Sequence, residues 1–159
     1  MEPPEHGLGY SRGGFTTKIH LLIENHGIPV GVYLTGGERN ECKAFVPLMG
    51  HVLLSRQRDR PFWPRKMAGD KGYSYPEVRN WLHRHNIQGV IPTRKNQPQD
   101  PNFDKANYRR RNLIERVVGW FKECRALGTR YEKLAVSYLA LWIVAMIDKL
   151  LKRRLPNST

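Results

Sequence analysis

Apolar and polar positions alternate over residues 15–24, where β-branched side chains also gather, and that period of two predicts a strand. Asn25-His26-Gly27 is a turn signal, and residues 28–35 read as a second strand despite Pro29, so the two form an antiparallel hairpin. Gly36-Gly37 breaks the chain. Phe45, Leu48, Met49 and Val52 then recur at helical spacing within a predicted helix over residues 44–54. Residues 55–64 are a polar, basic loop. Residues 66–69 form a short strand that delivers Asp70 at its end. Ser74-Tyr75-Pro76-Glu77 has the form of a capping box opening a helix to about residue 86, and residues 88–92 are another short strand closed by Pro92. The polar stretch 93–106, with Pro98 and Pro101, is a loop. A long helix is predicted over residues 107–127, stopped by Gly128. A last helix runs over residues 134–151, followed by Lys152-Arg153-Arg154, which suits a helix C-terminus. Strands early and alternating with helices later give a mixed α/β layer fold. Leu139, Trp142, Ile143 and Met146 fall on one stripe of the last helix and are core candidates, while Trp63, Trp81, Trp120 and Trp142 could each stack on a base but are more simply core or interface residues.

Composition narrows this picture. The 159 residues suit one domain with a real core, and an apolar fraction of 40% is that of a globular chain. Residues 1–14 are rich in Pro and Gly and read as an extended lead-in, residues 15–151 as the domain, and residues 152–159 as a basic tail. Residues 134–147 carry no charge, but 14 residues fall short of the roughly 18 that span a bilayer, so a buried helix is expected and no membrane segment. No secretory leader pattern opens the chain. Cys42 and Cys124, without a Cys-x-x-Cys pair, fit a reducing intracellular setting. The charge changes the picture most. Twenty-seven Lys and Arg stand against 14 Asp and Glu, for a formal net charge of +13. A surplus of that size attracts polyanions, with nucleic acid the first candidate and an anionic membrane surface or a ribosome as alternatives.

Candidate chemistry lies on the long helix. At 100° per residue Tyr108, Arg111, Glu115 and Lys122 fall within a stripe of roughly 60°. Ile114, Val117, Phe121 and Cys124 form a separate apolar stripe. One acid among cations fits a face where a metal ion and phosphates meet, the acid holding the cation and the bases the backbone. Glu115 with Arg111 is equally an ordinary i, i+4 pair. Asp70-Lys71-Gly72-Tyr73 places an acid where a strand ends and ligands gather, with Gly72 permitting a tight turn; an Asp-x-Gly turn without function reads the same way. His83 and His85 stand at i, i+2 and do not share a helix face, so no metal site is expected there.

Taken in order, these segments carry a resemblance. A strand pair is followed by Gly69-Asp70-Lys71-Gly72-Tyr73, a basic loop, and Asn112-Leu113-Ile114-Glu115-Arg116 on a helix. This order resembles the C-terminal half of bacterial insertion-sequence transposases of the DDE class, in the group whose type member is insertion sequence five. In that family Tyr, Arg, Glu and Lys spaced three, four and seven apart form a signature, which Tyr108, Arg111, Glu115 and Lys122 match at every position. The segments Ser11-Arg12-Gly13-Gly14-Phe15-Thr16-Thr17-Lys18-Ile19-His20, Leu34-Thr35-Gly36-Gly37 and Gly128-Thr129-Arg130-Tyr131-Glu132-Lys133-Leu134 are similar too, so the likeness runs from Ser11 to Ile147.

The resemblance implies an α/β fold of ribonuclease-H-like type, a mixed sheet flanked by helices. Three acids would hold two Mg²⁺ (or Mn²⁺) ions beside a phosphodiester. Asp70 matches the second acid and Glu115 the third, and both would be catalytic metal ligands. Tyr108, Arg111 and Lys122 would hold DNA, with Arg94 and Lys95 of the basic loop tracking its backbone. The first acid belongs on a strand upstream of the Arg-Gly-Gly segment. Here the acids before Gly13 are Glu2 and Glu5, in Pro-rich sequence unlike that strand. The first strand, its acid and the N-terminal DNA-recognition region are therefore expected to be missing, with metal binding weak and the chain inactive alone. The expected function is strand cleavage and transfer in transposition, on element ends and target DNA, in the bacterial cytoplasm at the nucleoid. Self-association or pairing with an upstream transposase polypeptide is expected. The alternative is a non-catalytic DNA-binding fragment that modulates full-length transposase. A basic ribosome-associated protein explains the charge but not the ordered motifs.

Overall fold

The computed structural model describes residues 6–52, 56–57, 60–61 and 63–154. Strands β1 (Gly9–Ser11), β2 (Gly14–Ile23) and β3 (Pro29–Gly36) form an antiparallel sheet in the order β1-β2-β3. The lead-in predicted over residues 1–14 thus contributes a strand, while residues 1–5 lie outside the described residues. The β2–β3 register pairs Ile19 with Leu34 and Leu21 with Val32. Its turn closes on Gly27, whose φ of +83° is a conformation that favours glycine. Glu24 stabilises that turn by accepting from the backbone N–H groups of His26 and Ile28.

Helix α1 (Cys42–Gly50) follows, two residues earlier at its start than the apolar pattern suggests. Within the stretch read as a loop, β4 (Arg56–Gln57) and β5 (Arg60–Pro61) pair briefly; the rest of 53–62 lies outside the described residues. Strand β6 (Lys66–Ala68), a 3-10 turn (Lys71–Tyr73), helix α2 (Pro76–Arg84) and strand β7 (Gln88–Val90) make a crossover unit in which β6 and β7 pair in parallel. The predicted capping box does not form. Tyr75 is the N-cap and gives no side-chain cap bond, and Pro76 takes the first helical position, where its missing N–H costs nothing. The Ser74 hydroxyl is engaged elsewhere: it donates to Gln97 and accepts from Arg79.

The single helix predicted over residues 107–127 is three: α3 (Lys105–Arg109), α4 (Asn112–Glu123) and α5 (Arg125–Gly128). Arg111 and Ile114 bond three residues back, a tightening that separates α3 from α4. Cys124, with ψ of 108°, breaks α4 from α5 and is exposed, so it does not belong to the apolar stripe. Helix α6 (Ala135–Arg154) closes the fold.

The β2–β3 hairpin is covered on both faces. Ile19, Leu21, Ile23 and Leu34 pack with the core of Val32, Val117, Phe121, Leu127, Tyr138, Trp142 and Met146. On the other side Leu22 packs with Phe45, Met49, Met67, Val78, Leu82, Ile87 and Ile91. The α/β class holds, but the single mixed sheet expected from sequence is divided: no strand joins the antiparallel sheet to β6–β7 among the described residues. Trp142 is core as expected, and Trp63, Trp81 and Trp120 pack half-buried against the two cores; Trp63 and Trp81 also form an aromatic cluster with His85, whose Nδ1 bonds the Trp81 carbonyl. His85 is thereby a packing residue. Val136, Val144, Ile147 and Leu151 leave an exposed apolar stripe on α6.

Trp142 has no exposed surface and sits with its ring 5.2 Å from that of Phe121. Trp142→Ala is expected to cost about 3–5 kcal/mol in urea unfolding. Val144→Ser, on the exposed stripe, should stay within about 0.5 kcal/mol. Equal effects at the two positions would contradict this packing of α6.

Candidate active site

Asp70 stands where the chain leaves β6. Its Oδ1 accepts from the Gly72 N–H at 2.8 Å and so caps the 3-10 turn that carries Tyr73. Gly72 matters for space rather than for an unusual φ. A Cβ there would lie 1.6 Å from Glu41 Oε2 and 2.9 Å from Asp70 Oδ1. Glu41 and Asp70 therefore share one glycine, with Lys18 Nζ 4.0 Å from Glu41. Sequence reading passed over Glu41, because only the fold brings the start of α1 to this turn.

It also passed over His20. This side chain is 4% exposed and bonded at both ring nitrogens, Nδ1 with the Tyr73 hydroxyl and Nε2 with Thr35, each at 2.9 Å. The bonds tie β2 and β3 to the turn that Asp70 caps. A signal existed: the alternation that buries Leu22 toward α1 puts His20 on the same face. Burial, with help from Lys18, lowers the His20 pKa from 6.5 to about 4 against the opposing charge of Asp70. The ring is neutral and serves one partner as donor and the other as acceptor. Burial and the charges of Asp70 and Glu41 raise the Tyr73 pKa, so its hydroxyl stays protonated.

The second set of residues lies at the α3–α4 junction. Arg111 Nη2 donates to Glu115 Oε1 at 2.7 Å, and the Glu115 side chain is 59% exposed. The Arg111 guanidinium lies 5.7 Å from the centre of the Tyr108 ring. Lys122 is exposed in the last turn of α4. The helix break leaves Tyr108 on α3 but still against Arg111. Asp104 caps α3 by accepting from the Asn107 N–H, and Lys66 of β6 donates to it at 2.9 Å. Its pKa is lowered by the Asn107 backbone bond first, then by the Asn107 and Lys66 side chains. That pair joins β6 to α3. Of the loop residues, Arg94 packs over the Tyr75 ring at 4.0 Å and Lys95 is exposed.

Asp70 and Glu115 are thus presented by separate elements, and no hydrogen bond or ion pair links them among the described residues. Carboxylate oxygens are the right donors for Mg²⁺ or Mn²⁺. Their number is short, since no group of three His, Cys, Asp or Glu suited to a metal stands together among the described residues. A largely apolar groove of about 690 Å³ opens beside Arg111. It is walled by Leu21–Ile23 of β2, by Lys66, Met67 and Ala68, and by Arg111 and Ile114 at the start of α4.

Residues 3–147 match the transposase DDE domain family, and the chain belongs to it. It is also 27% identical over 121 residues to a Burkholderia cepacia protein named as the transposase for insertion sequence element IS402. That alignment covers 75% of this chain and 55% of the relative, so the chain spans about half the length of the curated protein it matches. No solved structure matches it. No helix among the described residues is long and apolar enough to cross a membrane.

The His20 bonds make a pH prediction. A folded pKa below the unfolded value means that the unfolded chain binds the proton more readily. Stability is therefore full above pH 6.5 and is lost as pH falls toward 4. The slope from this group is at most about 1.4 kcal/mol per pH unit. In urea unfolding across that window His20→Gln, whose amide donates and accepts without titrating, should lose about one proton of the slope. An unchanged slope in this variant would show that His20 is not the group responsible.

Proposed function

We propose that this chain is a catalytic part of an insertion-sequence transposase that cuts and joins DNA strands with divalent metal ions. Asp70 and Glu115 supply two of its carboxylates. The observation that carries the reading is the exposed Glu115 carboxylate, held by Arg111 beside Tyr108, in a chain matched to the DDE family over residues 3–147. The proposed fold is ribonuclease-H-like. The groove between β2 and β6 supports it, because a strand seated there would pair two sheet pieces into one and could bring a third carboxylate toward Asp70. An upstream transposase segment or a second polypeptide supplies that strand in this reading. The exposed apolar stripe of α6 supports association with another chain.

When bound, two Mg²⁺ or Mn²⁺ ions would activate the attacking oxygen and stabilise the leaving one. The chain's own residues do the rest. Arg111 divides its guanidinium between Glu115 and a phosphate, which its planar fork permits. Lys122 adds a point charge on the same side of α4, and Tyr108 holds Arg111 in place through its ring. Lys95 and Arg94 extend the contact along the backbone, with Arg94 first leaving Tyr75. The DNA element ends and target are the substrates, met in the bacterial cytoplasm at the nucleoid. No group of three such ligands stands together among the described residues, so the chain is expected to bind DNA and to cleave little by itself.

The test is Mn²⁺-dependent nicking of linear DNA by the chain, by the chain with an upstream strand supplied, and by each with Glu115→Ala. Nicking only by the completed form, lost to background in Glu115→Ala, is expected. Lys122→Ala should lower the salt slope of DNA binding by about 1. Nicking by the short chain would show that another carboxylate completes the site. DNA binding without nicking in either form would favour a non-catalytic fragment that modulates full-length transposase.

A further inference from the structure

A second basic surface lies on the far side of α4. The β2–β3 turn, α4 and the C-terminal half of α6 enclose an open groove of about 540 Å³, whose cations are Arg116, Lys149, Lys152 and Arg153. Gly27 lets the turn close on α4, since a Cβ there would already be 3.3 Å from Leu113. Lys149 Nζ lies 4.1 Å from the centre of the Trp120 ring, which fixes a charge over the groove floor. Arg153 donates to the His26 carbonyl at 3.0 Å and stands 3.7 Å from Glu24, while Lys152 pairs with Asp148 at 2.8 Å.

Four cations therefore face two carboxylates, and Arg116 and Lys149 carry no ion pair among the described residues. Lys152 and Arg153 are ordinary at a helix C-terminus, where they complement the dipole. That explanation does not reach Arg116 or Lys149, which come from the side of α4 and from an earlier turn of α6. By the helical period, Arg116 lies roughly 100–140° and Trp120 roughly 140–180° around α4 from Arg111, Glu115 and Lys122. A duplex is stiff over such distances, so one straight segment does not reach both faces.

We infer that this groove holds the phosphodiester backbone of a second DNA duplex, separate from the one proposed at the Arg111–Glu115–Lys122 face. Spaced cations from two helices around a shallow floor suit a regular line of phosphates better than a single anion. The inference rests on the proposed transposase reading for the identity of the polyanion, and not for the groove itself.

The experiment is a bridging assay. A surface-tethered duplex is loaded with the chain, and capture of a second, labelled duplex is measured. Three proteins are compared: the wild type, Arg116→Glu with Lys149→Glu, and Arg111→Ala with Lys122→Ala. Arg116→Gln with Lys149→Gln guards against misfolding in the charge reversal, and sedimentation reports oligomeric state. Wild-type chain should capture the second duplex. Both groove variants should lose capture while still binding one duplex. Capture that persists in the groove variants, or is absent from the wild type, overturns the inference. Capture that tracks dimer content, or is blocked equally by a polyglutamate chain, also overturns it. If the Arg111/Lys122 variant leaves Mn²⁺-dependent nicking by the completed form unchanged while the groove variants lose capture, the proposed catalytic face fails and this groove stands.

Discussion

Much of this fold leans on the β2–β3 hairpin being buried on both faces, with His20 as the polar link on one of them. One face seats α4, α5 and α6 through Ile19, Leu21, Val32 and Leu34. The other seats α1 and the β6–α2–β7 unit, and there His20 bonds the Tyr73 hydroxyl beside a turn capped by Asp70. A neutral imidazole bonded at both nitrogens avoids the cost of a buried charge and gives the turn one orientation. The position of Asp70 is therefore inherited from a strand fifty residues earlier, roughly, rather than set by its own loop.

A second constraint follows from the division of the sheet. The antiparallel strands and the β6–β7 pair each satisfy their own ladders, and the groove between them leaves strand edges to be met by something else. The Lys66–Asp104 pair, at 2.9 Å, joins β6 to the start of α3. Glu115 is thus held at a fixed place by its helix and by Arg111, while remaining open to a further ligand. The two carboxylates are prepared separately, and what would join them in a single cation site is the cation together with a third acid.

Sequence alone made the α/β class legible because its strongest signals are local. The alternation of β2, the turn at Asn25–Gly27 and the apolar period of α6 all report on neighbours in the chain. The stripe of Tyr108, Arg111, Glu115 and Lys122 was laid out on one continuous helix, where α3, α4 and α5 stand. What stayed hidden depends on distant contacts. Ser74 looks like a cap until Gln97 and Arg79 claim its hydroxyl. Glu41 looks like an ordinary acid near a helix start until the fold sets it against Gly72. His20 looks like a polar interruption of a strand until Tyr73 arrives fifty-odd positions later, roughly the reach of half a domain.

Asp70 and Glu115 are proposed to belong to one divalent-cation site once a third acid is supplied, and iron-directed backbone cleavage of that completed form tests this without requiring DNA chemistry. Fe²⁺ substitutes for Mg²⁺ at carboxylate oxygens, and with ascorbate and peroxide it cuts the chain beside its ligands. At saturating Fe²⁺ the account predicts cuts near residue 70 and near residue 115 together, suppressed by excess Mg²⁺ and lost at both places in Glu115→Ala. Cuts confined to one of the two segments, or a residue-70 cut that survives Glu115→Ala unchanged, would contradict it.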